Sequence, residues 1–307
     1  MTILKAYPAG WSRLGIPMAG RKAALAGIAL YAPSRRRSEL FRDLSMLAVA
    51  VLGPRCLPGP TSTWVCPIEH DLWDELEGRI SGLVGPWDAI AVYGRSGGRS
   101  GFTMAVIAKG RQRAMMRVEA SEAGGVEIEA RALRQLAVAR PESFVYPELL
   151  EVGEMGRWSY GITAPIVMGA HRMAVGPDLG TICGELSAAV TPPERAATVP
   201  QHWVPSHGDL TPWNLRARRV GSPALLDWES VTWAPPGADS ALYVISSAAI
   251  GRHRRPEAIT LSSEVIGYWW EATEARIKQA TAFGTEPDAL NEEILRVLET
   301  VSRGSGT

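Results

Sequence analysis

Hydrophobic residues recur at helical spacing through the first part of the chain, and the spacing changes to that of strands near Trp87. The helices predicted before that point span residues 21–31, 38–52 and 70–83. A stretch rich in Pro, Gly and Cys at 53–67 follows the second of them and is predicted to be a loop. The pattern indicates local structure for this part of the chain, but it indicates no role.

Strands dominate from Trp87 to about Val167, and helices dominate after it. Short apolar runs predict strands at 90–93, 102–108, 114–118, 144–152 and 158–167, with one helix at 125–139. The later predicted helices span 178–190, 240–250, 262–283 and 288–301, with a turn-rich segment at 204–228. This order is typical of the α+β class. We expect an N-terminal extension over 1–85, an antiparallel-sheet N-lobe over 86–166 and a mainly helical C-lobe over 167–307.

The overall charge is balanced, with 32 basic and 32 acidic residues. The chain therefore has neither the basic surplus typical of nucleic-acid binding nor an acidic surplus for a cationic partner. The longest apolar runs, 23–32 and 46–53, are too short to cross a bilayer, and the segment Met1–Gly15 lacks the order of a signal peptide. Three scattered cysteines form neither a disulfide framework nor a CxxC metal site. These features predict a cytoplasmic protein without nucleic-acid or membrane partners.

The turn-rich segment contains the sequence HGDLTPWN at residues 207–214, followed by Asp227 behind an apolar pair. The spacing His-x-Asp-x₄-Asn with a later Asp is that of a kinase catalytic loop. Phosphoryl transfer needs an aligned hydroxyl, which Asp209 would orient and deprotonate, and metal ions on the phosphates. Asn214 and Asp227 supply the oxygen ligands that Mg²⁺ prefers. The candidate catalytic residues are therefore Asp209, His207 and Asn214, and the candidate metal ligands are Asn214 and Asp227.

These segments resemble the aminoglycoside phosphotransferase and choline kinase-like family. His207–Asn214 and Leu226–Glu229 resemble its two signatures, and Pro236–Asp239 resembles the segment after them, in which an Asp braces the fold. As in that family, Gly208 stands where protein kinases have Arg. The resemblance covers about 87–268. It implies a bilobal protein-kinase-like fold and transfer of the γ-phosphate of ATP or GTP to a hydroxyl of a small metabolite, sugar or antibiotic-like molecule.

A glycine-rich loop at 94–101 lies between two predicted strands. Such a loop brings backbone N–H groups close to phosphate oxygens, so the candidate nucleotide-binding residues here are Gly97, Gly98 and Ser100. By itself this pattern is as typical of a flexible hairpin loop. The catalytic-loop signature downstream favours the phosphate-binding interpretation.

The third predicted strand carries Arg117 where the resemblance leads us to expect a phosphate-gripping Lys. Strand alternation places Met115 on the same face, where it would lie against the nucleotide base. On the helix at 125–139, Glu129 shares a face with the apolar residues and is the expected ion-pair partner of Arg117. Arg keeps the positive charge but differs from Lys in geometry.

Two other functions stay open. The departure at Arg117 also fits a nucleotide-binding pseudokinase or interaction module. The unassigned residues 1–85 also fit a kinase of a protein or carrier-bound substrate, or a homo-oligomerisation element. The charges of the C-terminal helices, among them Glu264 and Arg276, are mixed in sign and are interpreted as a solvated face. The choice between ATP and GTP and the identity of the acceptor are not predicted.

Overall fold

A computed structural model describes residues 2–8, 14–33, 36–94, 101–168, 172–252, 259–282 and 289–304. The chain divides into two compact units. The first comprises Met1–Ala130 and Pro147–His171, and the second comprises Arg131–Tyr146 and Arg172–Thr307. None of the helices in the described ranges is long and apolar enough to cross a membrane.

The first unit is built on one eight-stranded sheet in the order β3-β1-β2-β4-β5-β6-β8-β7. Every neighbouring pair in it is antiparallel. Its strands are β1 Thr2–Ala6, β2 Leu14–Pro17, β3 Thr61–Trp64, β4 Ala89–Gly94, β5 Gly101–Ala108, β6 Arg111–Ala120, β7 Leu149–Met155 and β8 Trp158–Thr163. The strands of the N-terminal extension thus join the same sheet as those that follow Trp87.

Both faces of the sheet bury apolar side chains. Successive side chains of a strand point to opposite faces, and in the central strands both sets are hydrophobic. Three helices of the N-terminal extension take part, namely α1 Arg21–Leu30, α2 Arg36–Leu52 and α3 His70–Val84. One face packs Met104 and Met116 in a cluster with Leu76 of α3. The opposite face packs Ala105 and Ile107 in a cluster with residues of α1 and α2.

A fourth helix, α4 Gly125–Ala139, begins where a buried carboxylate caps it. The backbone N–H of Val126 donates to Oε1 of Glu119 at 2.6 Å, and Glu119 is only 1% exposed. An acid at this position satisfies one of the unpaired N–H groups of the first turn and complements the helix dipole. Since Glu119 lies near the end of β6, the cap ties the start of α4 to that strand.

The second unit is mainly helical, with two short antiparallel strand pairs. Its helices are α5 Leu179–Ala189, α6 Ala238–Ala249, α7 Ser263–Ala282 and α8 Ala289–Gly304, and its strands are β9 Val204–Ser206, β10 Leu215–Arg216, β11 Ala224–Leu225 and β12 Thr232–Ala234. Apolar residues of α6, α7 and α8, among them Leu242, Trp269 and Leu298, form one buried cluster.

The α+β class is confirmed, and every helix predicted from the pattern is present to within a few residues. The strands β1, β2 and β3 were not predicted. The first two are five and four residues long, which is too short to display a period. The third, Thr61–Trp64, is polar and exposed over most of its length and lies inside the segment predicted to be a loop. That part of the prediction was wrong because cross-strand pairing with β1, and not local pattern, makes it a strand.

Candidate active site

Two short strand pairs hold the ends of the loop at 207–214. Ser206 at the end of β9 pairs with Thr232 of β12, and Leu215 at the start of β10 pairs with Leu225 of β11. The backbone N–H of Leu226 donates to the carbonyl oxygen of Asn214 at 3.0 Å. The structure therefore brings together Asn214 and Asp227, which are well separated in sequence, on adjoining strand ends.

Asp239 braces the first residues of this loop. Its Oδ2 accepts the N–H of His207 at 2.7 Å and its Oδ1 accepts the N–H of Gly208 at 3.1 Å. The side chain is buried in the first turn of α6, and burial raises the pKa of Asp239 to about 6 although the two N–H donors oppose the rise. Removing it would leave two buried N–H groups without their acceptor, which is costly.

Gly208 adopts a conformation that excludes other residues. Its φ is +75°, in the left-handed region, and a Cβ at this position would fall on the backbone oxygen of Ser230. The glycine therefore stands here for steric reasons, because a side chain has neither a favourable backbone conformation nor space.

His207 is completely buried beneath the loop. Its Nε2 lies 3.1 Å from the carbonyl oxygen of Leu226, and its Nδ1 accepts the N–H of Asp209 at 3.3 Å. Burial lowers the pKa of His207 to about 4, so the imidazole is neutral at pH 7 and donates from Nε2. The ring also packs on Trp228, with centroids 4.7 Å apart. This position suits a residue that supports the loop from below.

Asp209 presents its carboxylate at the surface of the loop, with 23% of the side chain exposed. Nδ2 of Asn214 donates to Oδ2 of Asp209 at 2.8 Å and to its backbone oxygen at 3.0 Å. Burial raises the pKa of Asp209 to about 7. Arg276 opposes the rise, and the nearby acids Asp227 and Glu229 add to it. A carboxylate whose pKa lies near neutrality is well placed to exchange a proton.

The two candidate metal ligands fit a hard cation by their chemistry. The hydrogen bonds from Nδ2 to Asp209 orient the planar Asn214 amide, so its acceptor atom Oδ1 points away from these two contacts. Asp227 lies two residues after the end of β11 with a φ of +68°, an uncommon backbone conformation for a residue other than glycine. Within the described ranges no group of three or more His, Cys, Asp or Glu could hold a metal. Mg²⁺ usually takes one or two protein carboxylates and completes its shell with phosphate and water.

The structure adds Arg276 to these residues. From α7, its Nη2 lies 3.9 Å from Oδ1 of Asp209 and donates to the carbonyl oxygen of Gly208 at 3.4 Å, while the guanidinium lies over the ring of Trp269. The interpretation of Arg276 as part of a solvated face was wrong, since its side chain is 35% exposed and faces the loop. The only sequence signal was its spacing of two helical turns from Trp269, which places both on one helix face.

In the first unit, the structure pairs Arg117, the residue proposed to hold phosphate, with its expected partner Glu129. Nη1 of Arg117 lies 3.4 Å from Oε2 of Glu129, and the two side chains are 13% and 15% exposed. Met115, on the same face of β6, packs against the apolar cluster that includes α1. Glu119, which caps α4, was not among the predicted residues, although it lies two positions after Arg117 on the same face. Gly97, Gly98 and Ser100 lie outside the described residues.

Comparison with known proteins identifies the loop segment. Residues 192–263 match the model of the Phosphotransferase enzyme family, which confirms the resemblance over the loop and the residues that brace it. No curated protein matches the chain. The match begins before β9 and includes the loop at 207–214, Asp227 and Asp239.

The solved structures that match this chain share little sequence with it. Apo aminoglycoside phosphotransferase APH(4)-Ia, a thermostable mutant, has a TM-score of 0.49 and 12% identity over 75% of this chain and 100% of that one. ADP-bound aminoglycoside phosphotransferase APH(2'')-Ib has a TM-score of 0.46 and 9% identity over 78% and 99%. Amicoumacin kinase hAmiN has a TM-score of 0.45 and 8% identity over 77% and 88%. At these scores the likenesses support no conclusion about the site of this chain.

Proposed function

We propose that this chain, which carries the signature of the phosphotransferase enzyme family at 192–263, is a small-molecule kinase. It would transfer the γ-phosphate of ATP or GTP to a hydroxyl of a metabolite, sugar or antibiotic-like acceptor. One observation carries the proposal: the Asn214 amide holds the Asp209 carboxylate at 2.8 Å in a loop whose first N–H groups are fixed by Asp239. A carboxylate fixed in this way can orient an incoming hydroxyl before transfer.

Each residue of the loop has a distinct part in this proposal. Asp209 accepts the proton of the acceptor hydroxyl, and its raised pKa makes it a better proton acceptor than an ordinary surface carboxylate. Asn214 sets the orientation of Asp209 through Nδ2 and offers Oδ1 to Mg²⁺ together with Asp227. When bound, Mg²⁺ would neutralise the charge of the nucleotide phosphates. His207 and Asp239 keep the loop in place from below.

Residues of the first unit would bind the nucleotide itself. Arg117 would contact the α- and β-phosphates with Glu129 as its anchor, since a guanidinium binds phosphate oxygens in a fork. Met115 would pack on the base, and Gly97, Gly98 and Ser100 would cover the phosphates with backbone N–H groups. These roles follow from the strand alternation that puts Met115 and Arg117 on one face.

Arg276 gives the acceptor side of the loop a positive charge. A hydroxyl that binds Asp209 at hydrogen-bond distance also lies close to the guanidinium, because Nη2 is 3.9 Å from Oδ1 of that carboxylate. A neighbouring oxygen of the acceptor, such as a second hydroxyl or a carboxylate, could accept a hydrogen bond from it. We therefore expect acceptors rich in oxygen near the reacting hydroxyl.

Nucleotide binding and turnover test the proposal in two steps. Calorimetry with ATP and GTP, with and without Mg²⁺, should show Mg²⁺-dependent binding of at least one nucleotide. Release of ADP or GDP is then measured against a panel of sugars, amino sugars, hydroxy acids, choline and aminoglycosides. Absence of binding by either nucleotide at millimolar concentration contradicts the kinase function.

A pseudokinase is the second candidate, and Arg117 in place of Lys is the observation that favours it. Such a protein would bind nucleotide and release no diphosphate with any acceptor of the panel. A kinase acting on a protein would give the same two results but would also add phosphate mass to a co-purified chain. The same two assays with mass spectrometry therefore separate the three outcomes.

A further inference from the structure

Helix α2 exposes an apolar side, and the side that it buries carries polar residues beside the apolar Val49. The side chains that it buries in the first unit include Arg42, which is fully buried, and Ser45, which is 7% exposed. Arg42 is satisfied there by the carbonyl oxygen of Tyr31 and by the Asp43 carboxylate. The outward side is apolar instead, with Leu40 62%, Phe41 40%, Leu44 55%, Leu47 62%, Val51 61% and Leu52 69% exposed. A surface helix normally shows the opposite arrangement, because water favours the polar face.

Four of these residues have the spacing of a helix–helix interface. Leu40, Leu44, Leu47 and Val51 follow one another at intervals of four, three and four positions. This is the alternation of the a and d positions of a heptad, which form a continuous seam along one side of a helix. Scattered exposed leucines are common on protein surfaces, but a seam of this length on one helix usually marks a contact with another protein surface.

We propose that the outward face of α2 is a dimer interface, in which two copies of the chain pack their α2 helices antiparallel about a two-fold axis. The seam is symmetric about the midpoint between Leu44 and Leu47. In an antiparallel pair, Leu44 of one copy therefore lies opposite Leu47 of the other, and Leu40 lies opposite Val51. Phe41 lies opposite the small Ala50, which leaves room for its ring. Every contact occurs twice, as a two-fold axis requires.

The size of the face agrees with a second copy as its occupant. Six large apolar side chains at about 100 Å² each amount to about 600 Å² per copy, or about 1,200 Å² in the dimer, the lower end of specific interfaces. A lipid surface fits less well, because an interfacial helix keeps a charged face in water. Here the opposite face is buried in the protein, and the only charges between Phe41 and Leu52 are Arg42 and Asp43, which pair with each other.

Analytical ultracentrifugation of the full chain tests the dimer. At about 50 µM, well above a micromolar dissociation constant, the wild-type chain should sediment as a dimer. Leu44→Glu/Leu47→Glu should be monomeric, since four carboxylates would meet across the axis. Val138→Glu changes an 85% exposed valine of α4 and should remain dimeric. Because residues 44 and 47 are exposed, the thermal unfolding of the double variant should match the wild type.

A charge-swapped variant tests the antiparallel pairing. Leu44→Glu/Leu47→Lys places each Glu opposite a Lys of the second copy, so it should dimerise more strongly than the double-Glu variant. If the two variants dimerise equally strongly, the antiparallel arrangement of the α2 helices is wrong. If the double-Glu variant loses its thermal transition, Leu40→Ser/Val51→Ser replaces it, and unchanged dimerisation there would exclude this face. A monomeric wild-type chain overturns the proposal, and co-flotation of that monomer with phosphatidylcholine/phosphatidylserine vesicles would assign the face to a membrane.

Discussion

Arg117 on β6 and Glu129 on α4 form an ion pair with 3.4 Å between Nη1 and Oε2. Two independent periods place them there, the alternation of the strand and the 3.6-residue repeat of the helix. Glu119 strengthens the arrangement, because it caps α4 from the same face of β6. A positive charge held against a carboxylate and 13% exposed is well suited to bind a phosphate oxygen.

Substitution of this pair should separate affinity from turnover. Arg117→Ala should weaken nucleotide binding about tenfold to a hundredfold, the loss expected for a charge-assisted hydrogen bond, and should abolish activity. Arg117→Lys should keep part of both or increase turnover, because it retains the charge. Glu129→Ala should lower kcat more than affinity, since the charge of Arg117 remains but its position is looser. Calorimetry and steady-state kinetics measure both, with Arg113→Ala, an exposed Arg on the same strand face, as the control.

Substitution of Asp209 and substitution of Asp227 should change nucleotide binding and turnover differently. Asp209→Asn should leave nucleotide binding nearly unchanged and lower kcat at least about a hundredfold, the scale of a lost general base. Asp227→Ala should remove the Mg²⁺-dependent part of nucleotide binding, because it deletes a carboxylate ligand. Asp74→Asn on α3, an exposed acid, is the control. If the two variants have the same binding and the same kcat, the division of roles is wrong.

Removal of Arg276 should change the pH dependence of activity. Its charge lowers the pKa of Asp209, against the larger effect of burial. Arg276→Ala should therefore move the acidic limb of kcat/KM to higher pH, because the base then needs a higher pH to ionise. Arg276→Lys should move it less, and Arg296→Ala, on the exposed side of α8, should not move it. A limb at the same pH in Arg276→Ala and the wild type would show that this charge does not act on Asp209.

His207 should make a pH-dependent contribution to stability. Its pKa is lowered from 6.5 to about 4 by burial, so between these values the unfolded chain binds the proton and the folded chain does not. The neutral imidazole therefore makes its full contribution to the free energy of unfolding above pH 6.5, and this contribution is lost as the pH falls toward 4. The stability difference between wild type and His207→Gln should shrink by up to about 3 kcal/mol over this window. Urea unfolding at pH 7.5 and pH 4.5 measures it, and a constant difference would contradict a buried neutral imidazole.

The local pattern of the sequence determined much of this protein. The spacing from His207 to Asn214 and on to Asp227 was enough to recognise the candidate catalytic loop. In the structure, two very short strand pairs hold the ends of this loop. The helices and the central strands were predictable because 3.6-residue and two-residue periods leave a clear record in the order of apolar residues. The pairing of Arg117 with Glu129 followed from the same two periods.

Only the tertiary structure decided the features that depend on contacts between distant segments. Arg276 follows Asp209 at a long distance along the chain, and no local period indicates that α7 brings it to the loop. The polar strand β3 exists because β1 supplies hydrogen-bond partners, which Thr61–Trp64 cannot provide for itself. The apolar period of α2 was readable from the sequence, but which side of the helix the first unit buries was not. The first unit buries the side of α2 that carries Arg42, Ser45 and Val49, so the leucines face outward, because that choice depends on the surfaces against which the helix packs.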